Sequence, residues 1–151
     1  MKKVLAFLAA MFMVVTGFSQ IGLGLGYNVG TQGQGFSLDF EFISGRHQLG
    51  FEGDFLLKDR FELTVHGGPR FEISKKATLT PCLELGYRSP KSPIFGGSIL
   101  GTYNPYKQIC LFLKLQYGTA VDVDIEGRQV TLSSPGDFKA FAGLLFLIPV
   151  Y

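Results

Sequence analysis

Residues 36–43 read FSLDFEFI, with Phe36, Leu38, Phe40 and Phe42 on one side of an extended chain and Ser37, Asp39 and Glu41 on the other. Successive side chains of a strand point to opposite faces, so this is a two-faced β-strand with one apolar and one acidic face. A slip of one residue would exchange the faces completely, so the pattern also fixes the register of any strand that pairs with it.

The same period of two continues in both directions. Residues 21–29 set Ile21, Leu23, Leu25 and Tyr27 against Gly22, Gly24, Gly26 and Asn28, and residues 48–57 set Leu49, Phe51, Phe55 and Leu57 against Glu52 and Asp54. Residues 61–73 oppose Phe61, Leu63, Val65, Phe71 and Ile73 to Glu62, Thr64, His66, Arg70 and Glu72. Residues 78–88 oppose Leu79, Leu83, Leu85 and Tyr87 to Thr80, Cys82, Glu84 and Arg88. The weaker segment 94–103 has Phe95, Ile99 and Tyr103 against Gly96, Ser98 and Thr102. Residues 108–118 place Ile109, Leu111, Leu113, Leu115 and Tyr117 against Cys110, Lys114 and Gln116. Residues 138–149 place Phe138, Ala140, Ala142, Leu144, Phe146 and Ile148 against Lys139, Phe141, Gly143 and Leu145. No stretch beyond Gln20 sustains a helical period.

These eight segments, counted with the first, are mostly longer than the usual globular strand of about 5–6 residues. They match the span of about 9–11 that a tilted strand needs to cross a bilayer. The spacing predicts three short turns at one end, SGRH (44–47), SKKA (74–77) and NPYK (104–107). The opposite end carries GTQGQG (30–35), KDR (58–60), SPKSP (89–93) and the long segment 119–137. Membrane barrels have short periplasmic turns and longer outer loops, a rule that the brief KDR connection follows poorly. Within 119–137, VDVDIEGRQVTLSS is expected to form a hairpin around Glu126-Gly127 that extends the last two strands. A ninth and tenth strand of the sheet is the alternative.

The N-terminus reads as an address. Lys2-Lys3, the apolar run Val4 to Val15, and small residues Gly17 and Ser19 before Gln20 have the layout of a secretory signal peptide. The run is shorter than the roughly 20 residues of a helical anchor. The expected organisation is therefore a leader at 1–19 and one barrel domain at 20–151.

Composition narrows the classes further. The 151-residue chain has a formal charge of +2, and removing a leader that holds Lys2 and Lys3 leaves 12 basic against 12 acidic side chains. Its longest basic run in the barrel region is the pair Lys75-Lys76, so nothing favours a nucleic-acid partner. With 46% hydrophobic residues and 17% charged, the chain is no disordered tail.

Periodicity does not say which face of a closed sheet is inside. A soluble barrel of the lipocalin type, holding a small apolar ligand, would bury the Phe/Leu face. A membrane barrel turns it toward lipid. The second arrangement is expected here. The apolar face is continuous from strand to strand, and aromatics such as Tyr27, Phe36, Phe42, Phe61, Phe71, Tyr87, Tyr103, Tyr117 and Phe138 lie near strand ends, as two girdles would require. Glycines 22, 24, 26, 96 and 143 lie on the opposite face, where a narrow interior needs small residues.

The leader, eight alternating segments, short turns at one end and terminal Tyr151 resemble the small eight-stranded outer-membrane barrels of the OmpA/OmpX kind. The FSQ cleavage region resembles exported proteins of Bacteroidetes-type bacteria, which are Gram-negative. The resemblance rests on architecture across 20–151 and carries no functional residue. It implies an antiparallel up-and-down transmembrane barrel, all-β, in contact with outer-membrane lipid. It also implies that Tyr151 serves as the membrane-insertion signal read by the barrel-insertion machinery, although Pro149 departs from a plain strand ending.

On this assignment Asp39, Glu52, His66, Arg70, Glu84 and Lys114 should lie deep inside, as a paired polar network that plugs the barrel. Glu41, Asp54, Glu62, Glu72, Arg88 and Lys139 also face inward, and those at strand ends can reach water. A lipid-modifying enzyme is a rival reading, but ELTVHGG around His66 supplies no family motif and the other histidine, His47, is in a turn. Carboxylate pairs such as Asp39/Glu41 and Glu52/Asp54 repeat at the strand period, which removes the need for a cation or glycosidase site. GLGLGYNVG is followed by no helix, so it is not a phosphate-binding loop. Cys82 and Cys110 fall on strands separated by a third, about 10 Å apart at the usual strand spacing of about 4.8 Å. Disulfide geometry limits the Cα separation to about 7 Å. No catalytic residue, metal or cofactor is expected. The acidic stretch with Asp122, Asp124, Glu126, Asp137 and Arg128 is the candidate surface for an outer contact.

Overall fold

The computed structural model describes residues 18–31, 33–56, 60–89, 92–124, 129–132 and 136–150. The elements are β1 (Gln20–Gly30), β2 (Gly33–Ile43), β3 (His47–Leu56), β4 (Arg60–Pro69), β5 (Phe71–Glu72), β6 (Ala77–Arg88), β7 (Ser92–Tyr106), β8 (Ile109–Asp124), β9 (Gln129–Leu132) and β10 (Asp137–Pro149). They form an eight-stranded antiparallel barrel. The order is β1-β2-β3-β4-β6-β7-β8-β10, and β10 pairs back on β1 from Gln20↔Pro149 to Gly30↔Lys139. Closure leaves none of the eight barrel strands at an open edge, where each unpaired backbone group costs several kcal/mol away from water.

Two elements are not staves of their own. β5 continues β4 along β6 in unchanged register, Gly67↔Leu83 before the break and Phe71↔Leu79 after it. The interruption falls at Pro69-Arg70, where proline has no N–H to give to the ladder. β9 pairs only with the far end of β8, from Val121↔Leu132 to Asp124↔Gln129. Segment 119–137 therefore extends the β8–β10 pair as a hairpin and adds no stave to the barrel. Its tip, Glu126-Gly127, lies outside the described residues.

Three turns share one end of the barrel with the two described termini, Phe18 and Val150. In the β2–β3 turn, Ser44 Oγ accepts from the backbone N–H groups of Arg46 (3.3 Å) and His47 (2.8 Å). In the β5–β6 turn, Ser74 Oγ does the same for Lys76 (3.3 Å) and Ala77 (3.1 Å). A serine opening each turn is the local hydroxyl-to-backbone bond that favours Ser there. The third turn departs from the sequence expectation. Asn104, Pro105 and Tyr106 belong to β7, which is irregular between Tyr103 and Tyr106, and the turn is Lys107-Gln108. At the opposite end, Gly33 closes the β1–β2 turn with φ of 137°, a conformation side chains rarely adopt.

The two faces are sorted as strand alternation requires. Leu25, Leu38, Leu63, Leu83, Leu85, Leu113 and Ile99 are exposed on the outer wall, with Leu83 at 80%. Aromatic residues form a belt toward each rim. Tyr27, Phe36, Phe55, Tyr87, Phe95, Tyr117 and Phe138 lie toward the end with the longer connections, and Phe71, Tyr103 and Tyr106 toward the other. Phe42 keeps its outward position but is covered by the rings of Phe18, Phe40 and Phe51.

Candidate functional site

The lumen is the site that the sequence builds, because every second residue of each stave points into it. Its side chains meet in three tiers.

In the tier nearest the longer connections, Arg88 bridges two carboxylates, Nε to Glu62 Oε1 at 2.5 Å and Nη2 to Asp137 Oδ2 at 2.6 Å. Lys139 reaches across from β10 to Glu62 and to Asp54 Oδ2 (3.3 Å), and Asn28 Nδ2 donates to Asp54 Oδ1 at 3.0 Å. Thr31 Oγ1 donates to Asp137. Cross-strand register explains the grouping, since Asp54 faces Glu62 and Glu62 faces Arg88.

In the middle tier, Lys114 of β8 is held by Glu52 of β3 and by Glu84 of β6, the second at 3.4 Å. Thr64 Oγ1 donates to Glu52 at 3.4 Å, and Ser37 Oγ donates to Asp39 at 3.3 Å. Glu52, Glu84, His66 and Lys114 are each 1% exposed.

In the third tier, toward the termini, His66 Nε2 lies 2.8 Å from Glu41 Oε1. Gln48 Nε2 donates to Glu41 Oε2 at 3.2 Å, and Thr80 Oγ1 donates to Gln48 Oε1 at 3.2 Å. Gly50 makes room for the pair. A Cβ there would lie 2.3 Å from His66 Nε2 and 2.6 Å from Glu41 Oε1. Beside these tiers an apolar cluster joins Ile43, Leu100, Cys110, Phe112, Phe141, Leu145 and Leu147 with Cys82. Both cysteines are free thiols.

The residues expected deepest from the sequence are brought together with one exception. Asp39, Glu52, His66, Glu84 and Lys114 are buried in the lumen. Arg70 is not among them. It sits in the break after Pro69 at the rim, half-buried, with Nη1 3.4 Å from the carbonyl oxygen of Ser44. Glu41, Asp54, Glu62 and Lys139, read as able to reach water, are buried and partnered. Asp137, read as part of the outer acidic surface, is instead the first inward residue of β10, because it pairs with Gly118 of β8. Phe112, Leu100, Ile94 and Leu147 also face the lumen and were not singled out. Phe112 was legible by parity, standing between outward Leu111 and Leu113. Of the outer-contact candidates, Asp122 and Asp124 lie on the β8 extension opposite Thr131 and Gln129. Glu126, Arg128 and Tyr151 lie outside the described residues.

Among the described residues the lumen holds Asp39, Glu41, Glu52, Asp54, Glu62, Glu84 and Asp137 against Arg88, Lys114 and Lys139. It is therefore acidic. His66 has its carboxylate partner, but its Nδ1 has no hydrogen-bond partner, and the nearby Thr64 hydroxyl is engaged with Glu52.

No family model matches the sequence, and no curated protein matches it. Solved structures share its fold. A de novo designed transmembrane β-barrel aligns with TM-score 0.61 at 14% identity, over 87% of this chain and 96% of the other. Ail, the attachment invasion locus protein of Yersinia pestis, aligns with TM-score 0.56 at 14% identity, over 87% and 99%. Neisserial surface protein A, NspA, aligns with TM-score 0.51 at 13% identity, over 85% and 95%. At such identities the likeness is one of fold alone.

Proposed function

We propose that the chain is a non-enzymatic outer-membrane β-barrel, exported through the periplasm, with a side-chain-filled lumen and a structural or surface-contact role carried by its outer loops. The observation that carries this reading is the sorting of the faces, with leucines and aromatics exposed outside and ion pairs buried inside. In water that arrangement would leave a continuous apolar wall far larger than monomeric soluble proteins expose. In a bilayer the same wall is solvated by lipid tails. A soluble barrel carrying an apolar ligand would need the reverse, an apolar lumen, whereas this one holds seven carboxylates among the described residues.

The further parts of the reading follow from it. Residues 1–19 act as the cleaved leader, and the barrel begins at Gln20, where β1 starts. The end with both termini and the short turns faces the periplasm, and the β8–β9 hairpin faces outward as the contact surface. Tyr151 is the signal to the insertion machinery. The lumen is plugged, since eight staves enclose just enough room for side chains.

Heat-modifiable gel migration of the detergent-solubilised protein tests this reading. The expected result is a compact, faster band without boiling and a slower band after it. A single band unaffected by boiling, with recovery in the soluble fraction without detergent, would overturn it.

A further inference from the structure

Charge on this chain is segregated by position. Among the described residues, the end that carries the termini has Arg46, Arg70, Lys75, Lys76 and Lys107 against one acid, Glu72, while the lumen above it is acidic. Among the described residues none of these three lysines forms an ion pair with a carboxylate, and all three are exposed in turns. They are not scattered. Lys75, Lys76 and Lys107 line one concave cavity of about 590 Å³, together with Gln20, Asn104 and Gln108. Among the described residues, no acidic side chain lines it.

The cavity is built by the backbone. Asn104 N donates to Lys76 O at 2.8 Å, which ties the β5–β6 turn to the end of β7, and Leu147 N donates to Gln108 O at 2.9 Å, which ties β10 to the β7–β8 turn. The irregularity of β7 between Tyr103 and Tyr106 includes Pro105, which cannot donate to the ladder, and brings Asn104 into the lining. Bulges of this kind re-aim side chains at barrel rims. Leu147, a buried member of the apolar lumen cluster, supplies an apolar wall and lies toward the acidic tiers.

We infer that this cavity is an anion site for a phosphate group. Three ammonium groups and neutral amide donors, with no acidic side chain among the described lining residues, suit a compact oxyanion, and lysine binds phosphate as a point charge. The membrane-barrel reading enters only in naming the source. If the end with the short turns faces the periplasm, the phosphodiester of an anionic phospholipid in the facing leaflet is within reach; free phosphate offers the same chemistry.

Titration of the maltoside-solubilised full chain, first shown to be folded by heat-modifiable migration, separates the possibilities. Failure of that folding check would count against the barrel reading, whereas failure of binding by a folded barrel counts against the site alone. The probes are dihexanoylphosphatidylglycerol, dihexanoylphosphatidylcholine and inorganic phosphate, with amide NMR shifts as the readout. Saturable shifts confined to residues 75–76 and 104–108 are expected with phosphatidylglycerol. The Lys75→Gln, Lys76→Gln, Lys107→Gln triple variant should bind roughly a hundredfold more weakly, at the usual contribution of each lysine near an anionic surface. Lys91→Gln, between β6 and β7 in the sequence, should bind as the parent does. Equal affinity for inorganic phosphate supports the site and assigns it to the free anion. Absence of local shifts with both anions, equal binding of phosphatidylcholine, or an unchanged affinity in the triple variant would overturn the proposal.

Discussion

The ammonium of Lys114 stands 4.4 Å from the centroid of the Phe141 ring, on neighbouring staves β8 and β10 in the middle of the lumen. One face of the cation is thus met by an aromatic ring and another by the carboxylates of Glu52 and Glu84. A cation over an aromatic face gains about 2 kcal/mol or more when desolvated, so Phe141 contributes to burying a charge that water would otherwise hold.

Removing that cation should therefore be severe. Lys114→Met leaves Glu52 and Glu84 buried without their shared partner and is expected to cost about 3–5 kcal/mol. Urea unfolding in micelles, followed by loss of the compact gel band, measures it. Glu84→Gln should be far milder, within about 1 kcal/mol, because neither Glu84 oxygen accepts a hydrogen bond and the lumen already has an excess of acid.

Two glycines of the same strand should respond in opposite ways. Gly50→Ala drives a methyl into the His66–Glu41 pair and is expected to destabilise by about 1–3 kcal/mol. At Gly53 the nearest atom to an added Cβ is 3.7 Å away, so Gly53→Ala should be neutral or stabilising by up to about 1 kcal/mol. The same unfolding measurement compares them directly.

The outer wall offers a test that depends on solvent. Leu83 lies near the middle of β6 at 80% exposure. In lipid, Leu83→Arg should cost about 2–4 kcal/mol, the range for arginine near the bilayer midplane. For a barrel standing in water, a surface change of this kind would stay within about 0.5 kcal/mol. Unfolding titrations in vesicles read the difference.

Planar-bilayer recording addresses the lumen. With Lys139 crossing to Asp54 and Glu62, and Lys114 crossing below it to Glu52, single-channel conductance should be negligible. A stable large conductance would refute the plugged interior.

Much of this was legible in FSLDFEFI and its repeats, because alternation by two states both the strand and its faces. The hairpin in 119–137 was legible too, from turn residues flanked by alternating apolar ones. What escaped had local causes. Arg70 has inward parity, but Pro69 interrupts the ladder just before it and leaves it at the rim. Asp137 looked like loop because the residues before it are Ser, Pro and Gly, and only pairing with Gly118 places it inside. The NPY of β7 read as turn chemistry, whereas an irregular strand end absorbs it. Which carboxylate meets which cation depends on distances across the lumen between strands far apart in sequence, and no periodicity encodes those.

The chain contains no tryptophan, so a single one can report on the wall without background. Leu83→Trp, folded into vesicles whose acyl chains are brominated, tests most directly whether the apolar face meets lipid. Strong quenching relative to unbrominated vesicles is the predicted result. Emission identical in the two, from protein that stays in the supernatant when the vesicles are sedimented, would contradict it.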